Sequence, residues 1–180
     1  AAWKDLEASG VLPSSGLLWS LFEKHLGIAV LTIAEGLDFH LENMQYVFPE
    51  LVLDLCCHGT IERGLDASAG GVDYFNLCVD AAGLATAADS FAAVKTWVDV
   101  EKRVSWDDLF RFVAINWDGP EGERTRLLMK HAPRYGHGGT LADDYAVKIA
   151  AKFTEIVKEN PTPKGRAMIP GLFSWASMIS

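Results

Sequence analysis

The stretch from Ser20 to Met44 constrains this chain more than any other, because Leu21, Phe22, His25, Leu26, Ala29, Ile33, Leu37 and Leu41 recur at helical spacing. The pattern predicts one long, largely buried helix. Gly27 and Gly36 lower its propensity without ending it. Such a helix needs a core to sit against. The 180 residues, with six Trp and nine Phe, suffice for one domain that buries roughly 70% of its unfolded surface.

Further elements follow from local signals. Pro49 at a start, then Leu51, Val52, Leu55, Cys56 and Ile61, with Gly64 as a stop, predicts a second helix of about four turns. Gly70-Gly71 reads as a turn into an extended segment over Val72 to Val79. Leu84 to Val98 returns to helical spacing. Ser105, with Asp108 three residues on, caps a helix through Leu109, Phe110, Phe112 and Ile115 that Gly119-Pro120 ends. Helices over Glu121–Lys130 and Leu141–Lys158 follow, the second stopped by Asn160-Pro161, and Ala167 to Trp175 closes the chain in extended form. The result is a predominantly helical α/β chain, with roughly six helices and too few strands for an independent doubly wound sheet. Ala1 and the apolar terminal segment suggest that both ends are cut.

Composition excludes several function classes. A formal charge of −8 offers no basic footprint for nucleic acid or an acidic membrane surface. Glu35 and Asp38 interrupt the apolar run Leu26 to Ile33 before it reaches the ~20 residues of a membrane span. Three cysteines, an odd number in a chain of this size, argue against a disulfide framework and for a reducing, cytoplasmic setting.

Several clusters invite a chemical reading, and each has a plainer one. Cys56-Cys57-His58 pairs thiols with an imidazole, but on the expected helix adjacent side chains diverge by about a hundred degrees, so buried structural cysteines are the better reading. No second ligand pair suggests zinc, and no metal is expected. His131 and His137 read as surface loop residues. Asp143 and Asp144 read as helix-dipole charges after Thr140 rather than an acid/base pair. Gly70-Gly71 and Gly136-His-Gly-Gly139 lack the context of a phosphate cradle.

An ordered series of motifs changes the picture. Thr60-Ile-Glu-Arg-Gly64-Leu-Asp66 is followed by Gly70-Gly71-Val-Asp-Tyr74-Phe-Asn76, then by Gly83-Leu-Ala-Thr86-Ala-Ala-Asp89-Ser90-Phe-Ala-Ala-Val-Lys95. Glu101-Lys-Arg-Val-Ser105-Trp-Asp-Asp-Leu109, Pro133-Arg-Tyr135-Gly136, Asp143-Asp144-Tyr145, Thr162-Pro-Lys-Gly165 and Ile169-Pro-Gly-Leu-Phe-Ser-Trp175 keep the order. Over residues 55–175 the chain resembles the glycyl radical enzymes, the pyruvate formate-lyase-like family, and the Gly83–Lys95 run is the most specific part of the likeness.

The resemblance implies a segment of a ten-stranded α/β barrel whose two inner loops carry a thiyl-forming Cys and a glycyl radical. Neither loop is expected in this chain: no Cys has Glu two residues on, no Arg-Val-x-Gly run occurs, and Cys56-Cys57 lies at the wrong place in the order. The implied function is a portion of a glycyl radical lyase of dehydratase or decarboxylase type, inactive alone, within an anaerobic enzyme. Its parent would carry a glycyl radical installed by a radical S-adenosylmethionine activating enzyme and would form a homodimer. This segment itself would bind no cofactor, and its partners would be the rest of the barrel and the activating enzyme. Tyr74, Asn76, Leu77, Cys78 and Asp80 are the residues the resemblance places on the wall of the substrate pocket. The alternative reading is a stand-alone helical interaction or scaffold module descended from that family.

Overall fold

A computed structural model describes residues 1–173. The expected extension from Ala167 to Trp175 is seen only as far as Phe173, and its last residues lie outside the described part. The helices are α1 (Ala2–Ala8), α2 (Ser15–Val47), the single turns α3 (Leu51–Asp54) and α4 (Thr60–Arg63), α5 (Leu84–Val94), α6 (Trp106–Ala114), α7 (Gly119–Lys130) and α8 (Leu141–Glu159). Strands β1 (Leu77–Ala82) and β2 (Met168–Phe173) pair as a two-stranded sheet. The described chain is thus mostly helical, and it divides into two compact units.

The first unit comprises residues 1–26, 81–153 and 172–173. Its core joins Leu6, Leu18, Trp19, Ala88, Phe91, Ala146 and Ile149, the small Ala88 and Ala146 letting helices approach closely. Phe91 stacks on Tyr145 at 5.2 Å and meets Trp19 edge-on at 5.4 Å. A second cluster gathers Val94, Val98, Val104 and Leu109. Asp99 ties the start of α2 to this unit, accepting from the Ser15 backbone N–H at 2.9 Å and from Trp106 Nε1 at 3.2 Å.

Ser105 caps α6 as expected, its Oγ accepting from the Asp108 N–H at 3.1 Å. The helix stops at Ala114, earlier than Gly119-Pro120 suggested, because Asn116 and Trp117 take left-handed backbone angles. Gly119-Pro120 instead opens α7, where the absent N–H of Pro is harmless. The helix expected over Leu84 to Val98 leaves α geometry at Lys95 and runs to Val100 as a π turn. Asp143 does more than face a helix dipole. It accepts from the Gly136 N–H at 2.8 Å and from the Thr140 N–H at 3.0 Å, and these bonds hold its carboxyl at about 2, below the ordinary 3.8.

The second unit comprises residues 27–80 and 154–171. Val30, Ala34 and Leu41 of α2, Leu77 and Val79 of β1, Val157 of α8 and Met168 of β2 are buried. The expected burial of α2 is only partly realised: Ile28, Leu31, Ile33 and Phe39 are exposed, and an 18-residue stretch of the helix is apolar enough to cross a membrane by length and composition alone. Counting only the uninterrupted run Leu26 to Ile33 understated it. Asp38 is 5% exposed yet charged, a state that requires partners. It accepts from the Lys164 N–H at 2.8 Å and pairs with Arg166, and its Thr162 contact completes the set. Burial pushes this carboxyl up, but the hydrogen bonds outweigh burial and hold it below its ordinary value.

The four-turn helix expected from Pro49 to Gly64 is two single turns instead. Gly59 adopts φ +97°, a left-handed angle that no α-helix carries through, so α3 ends before Cys56 and α4 begins after Gly59.

Three consequences are measurable. Ser105→Ala should lower stability by about 1 kcal/mol in urea denaturation through loss of the cap. Gly122→Ala should cost about 1–3 kcal/mol, since an added Cβ would lie 2.6 Å from the Trp117 carbonyl oxygen, a backbone atom unable to swing aside. Because the Asp143 carboxyl is depressed, its contribution is complete above the ordinary value of 3.8 and disappears as pH falls toward about 2. Asp143→Asn should therefore flatten that part of the acid-unfolding curve; an unchanged curve would contradict the assignment.

Candidate functional site

The Gly-Gly turn and the strand after it form the best-organised surface of the second unit. Gly71 sits where a Cβ would stand 2.1 Å from the Leu65 carbonyl oxygen and 2.8 Å from that of Asp66, so no other residue fits. Gly70 has φ +89°. Arg63 reaches across the turn, its Nη1 donating to the Gly71 carbonyl at 2.8 Å and its Nη2 pairing with Asp73. Asp66 caps the short 3₁₀ turn at Ala67–Ala69 through the Ser68 N–H, and it also accepts from the Glu50 N–H at 2.9 Å. The Ser68 hydroxyl bond first, with these backbone bonds, holds the Asp66 carboxyl below its ordinary value against the opposing effect of burial. Asp54 accepts from the Ala67 N–H at 2.8 Å. The loop is therefore wired from both sides before it delivers Tyr74 and Asn76 to β1.

Strand alternation then sorts the candidate residues. Leu77 and Val79 turn inward, whereas Cys78 and Asp80 share the exposed face. Tyr74 is 93% exposed and Asn76 is exposed beside it. Leu77 instead lines, with Phe75, Leu41, Ser68 and Arg166, a cavity of about 510 Å³ in the same unit. Of the five expected wall residues, Cys78 and Asp80 thus stand together, Tyr74 and Asn76 lead into them, and Leu77 points away.

Gly171 on β2 completes the exposed face. An added Cβ there would fall 1.9 Å from Asp80 Oδ1, so the Asp80 carboxylate lies across the neighbouring strand in the space a glycine leaves. Gly171, Arg63 and Asp38 carried no site role in the sequence, although Asp38 broke an apolar run and the other two lay within motifs. The Pro-Gly pair inside an extended run was the one signal for Gly171.

The remaining clusters do not converge on chemistry. Cys56 and Cys57 lie in the turn between α3 and α4 rather than inside a helix, Cys56 and Cys78 are exposed and Cys57 is half-buried, so the expectation of buried helical thiols is corrected. Gly59 is the cause, since it breaks the helix that would have carried them inward. His131 and His137 are exposed, each donating from Nδ1 to a nearby carbonyl, Leu127 at 2.7 Å and Arg134 at 3.1 Å. Among the described residues no group of three or more His, Cys, Asp or Glu side chains is placed to hold a metal.

The family model for pyruvate formate lyase-like proteins matches residues 14–180. The chain belongs to that family. Two curated relatives are dehydratases: the (2S)-3-sulfopropanediol dehydratase of Klebsiella oxytoca is 32% identical over 111 residues, 62% of this chain and 13% of the relative. The trans-4-hydroxy-L-proline dehydratase of Clostridioides difficile is 30% identical over 105 residues, 58% of this chain and 13% of the relative. The chain therefore spans a small part of these proteins. A glycyl radical enzyme from Archaeoglobus fulgidus has the same fold, with TM-score 0.76 and 22% identity over 94% of this chain and 23% of that one. The hydroxyproline dehydratase of C. difficile gives TM-score 0.74 and 24% identity over 88% of this chain and 20% of that one. The motif resemblance to glycyl radical enzymes is borne out.

If the Arg63 clasp holds the turn, Arg63→Ala should speed amide hydrogen exchange across residues 70–76 by roughly tenfold while leaving α8 unchanged, the ratio expected from losing charge-assisted hydrogen bonds. Uniform acceleration through the unit would show that Arg63 supports the whole fold instead.

Proposed function

We propose that this chain is part of a glycyl radical dehydratase, an enzyme that removes water from a small hydroxylated substrate by radical C–O cleavage. The observation that carries the reading is the family match along residues 14–180, joined to dehydratase relatives at 30–32% identity. In this reading the chain is one segment of the ten-stranded barrel of a longer polypeptide. The radical Gly and the thiyl-forming Cys belong to other segments, since these 180 residues hold neither a Cys-x-Glu nor an Arg-Val-x-Gly run.

The glycyl radical, installed by a radical S-adenosylmethionine activating enzyme, would supply the hydrogen-abstracting chemistry. The residues of this chain would bind and orient the substrate. The exposed face of β1, carrying Cys78 and Asp80 after Tyr74 and Asn76, is the wall turned toward the substrate, and the wired Gly-Gly turn fixes where that wall stands. Leu77, on the opposite face, supports it from behind. A cytoplasmic, homodimeric, anaerobic parent enzyme is the setting proposed for it.

The exposed apolar residues around α2, α3 and α4 fit this reading. Phe39, Tyr46, Val47, Phe48, Leu51 and Val52 are open to solvent here, an unfavourable surface for a free chain and an ordinary one for a segment covered by the rest of a barrel.

Two measurements test the proposal. Full-length protein carrying this segment, treated with an activating enzyme under anaerobic conditions, should show a glycyl radical by electron paramagnetic resonance and convert a 1,2-diol to an aldehyde; no radical would overturn it. The isolated 180 residues should show no radical and should self-associate in light scattering. A monomeric, cooperatively melting chain would point to a self-sufficient domain.

A further inference from the structure

The first unit holds a cavity of about 550 Å³ where α1, α5, α6 and α7 converge, a size within the roughly 300–1,000 Å³ of small-molecule sites. Its floor is apolar and buried, built from Ala93, Val94, Leu109 and Ala132. Trp3, Trp117 and Met129 form half-buried walls packed against the cluster around Val94 and Leu109. The Trp117 wall is fixed by its backbone. Trp117 takes φ +63°, a left-handed angle rare for a bulky residue, while its N–H donates to the Phe112 carbonyl at 2.7 Å and the side-chain-free Gly122 lets α7 press against its own carbonyl. The rim is cationic, with Arg126, Lys130 and Arg134 bordering the opening. Arg126 is committed to Glu123 through two bonds of 2.6 Å, and Arg134 to Asp89 at 2.9 Å. Asp89, the carboxylate on the lining, also accepts from the Tyr135 N–H at 2.8 Å, so both its oxygens are engaged. Lys130 is close enough to feel the charge of Glu123 but makes no ion pair among the described residues. One positive charge is therefore left to an incoming group.

We propose that this cavity binds a small organic monocarboxylate, its apolar or aromatic body between Trp3, Trp117 and Met129 and its carboxylate on Lys130. Burying the body removes apolar surface from water on both sides, and a ring fits the two indoles in tilted or edge-on contact. Charge decides the other end of the ligand. A carboxylate meets three cations and a lysine with donors to spare, whereas an amine would meet like charges and an Asp89 already taken by Arg134 and Tyr135. The site does not rest on the proposed radical reaction: none of its residues belongs to β1 or to the Gly-Gly turn.

The test is calorimetric binding to unactivated full-length protein carrying this segment, with phenylacetate, phenylacetamide and 2-phenylethylamine as probes. The wild type should bind the acid, bind the amide roughly fivefold more weakly and reject the amine. K130Q changes an exposed side chain; it should weaken phenylacetate by roughly fivefold and leave the amide unaffected. Ser90 is exposed on α5 and lines the cavity, so S90W should fill it and abolish binding of acid and amide alike. If S90W no longer melts cooperatively, K130Q decides. Full-length protein that does not bind phenylacetate would overturn the inference, as would equal affinity for acid and amide, unchanged affinity in K130Q, or undiminished binding by an S90W protein with a native melt. Failure of the radical reading would appear separately, as the absence of a radical signal after activation.

Discussion

The second unit is organised around one buried charge. Asp38 lies on the inward side of an apolar helix, where an unpaired carboxylate would be strongly destabilising. All its partners come from the short connection between α8 and β2: the Lys164 N–H, the Thr162 side chain and Arg166. That connection is tightened by its own bonds, with the Thr162 N–H donating to the Arg166 carbonyl and Gly165 in a left-handed turn. Lys164 adds a pair with Glu42, one helical turn beyond Asp38. Satisfying Asp38 thus sets where β2 starts.

From that start the rest of the candidate site follows. β2 runs beside β1, and Gly171 arrives at the point where Asp80 needs room. The other end of β1 is set by a different device, the Gly70-Gly71 turn, in which missing side chains let backbone approach backbone while Arg63, Asp54 and Asp66 hold the loop. Apolar burial at Leu77 and Val79 then determines which face of the strand is presented. Two anchors and an alternation are enough to aim Cys78 and Asp80 outward.

Much of this was legible from local chemistry. The Ser105 cap, the spacing of Leu141–Lys158 and the Gly-Gly turn all depend on neighbours a few residues away, and each appears close to where its signal lies. Two departures were not legible. Gly59 looked compatible with a helix until its left-handed angle was known, and the π turn over Lys95–Val100 has no local signature in the residues that form it. The wall residues show the same division. Their place in the chain was readable, while the parting of Leu77 from Cys78 and Asp80 required the register of β1.

Taken alone, the sequence determined the helical character of this chain, its punctuation by glycine and proline, and its kinship with glycyl radical enzymes, because periodicity, turn chemistry and ordered motifs are all written within short stretches. Tertiary structure alone decided that Asp38 is paired, that Cys56 faces solvent while Cys57 is half-buried, and that Gly171 makes space for Asp80. Those facts depend on side chains up to more than a hundred residues apart meeting at a few ångströms, a proximity that no local pattern encodes.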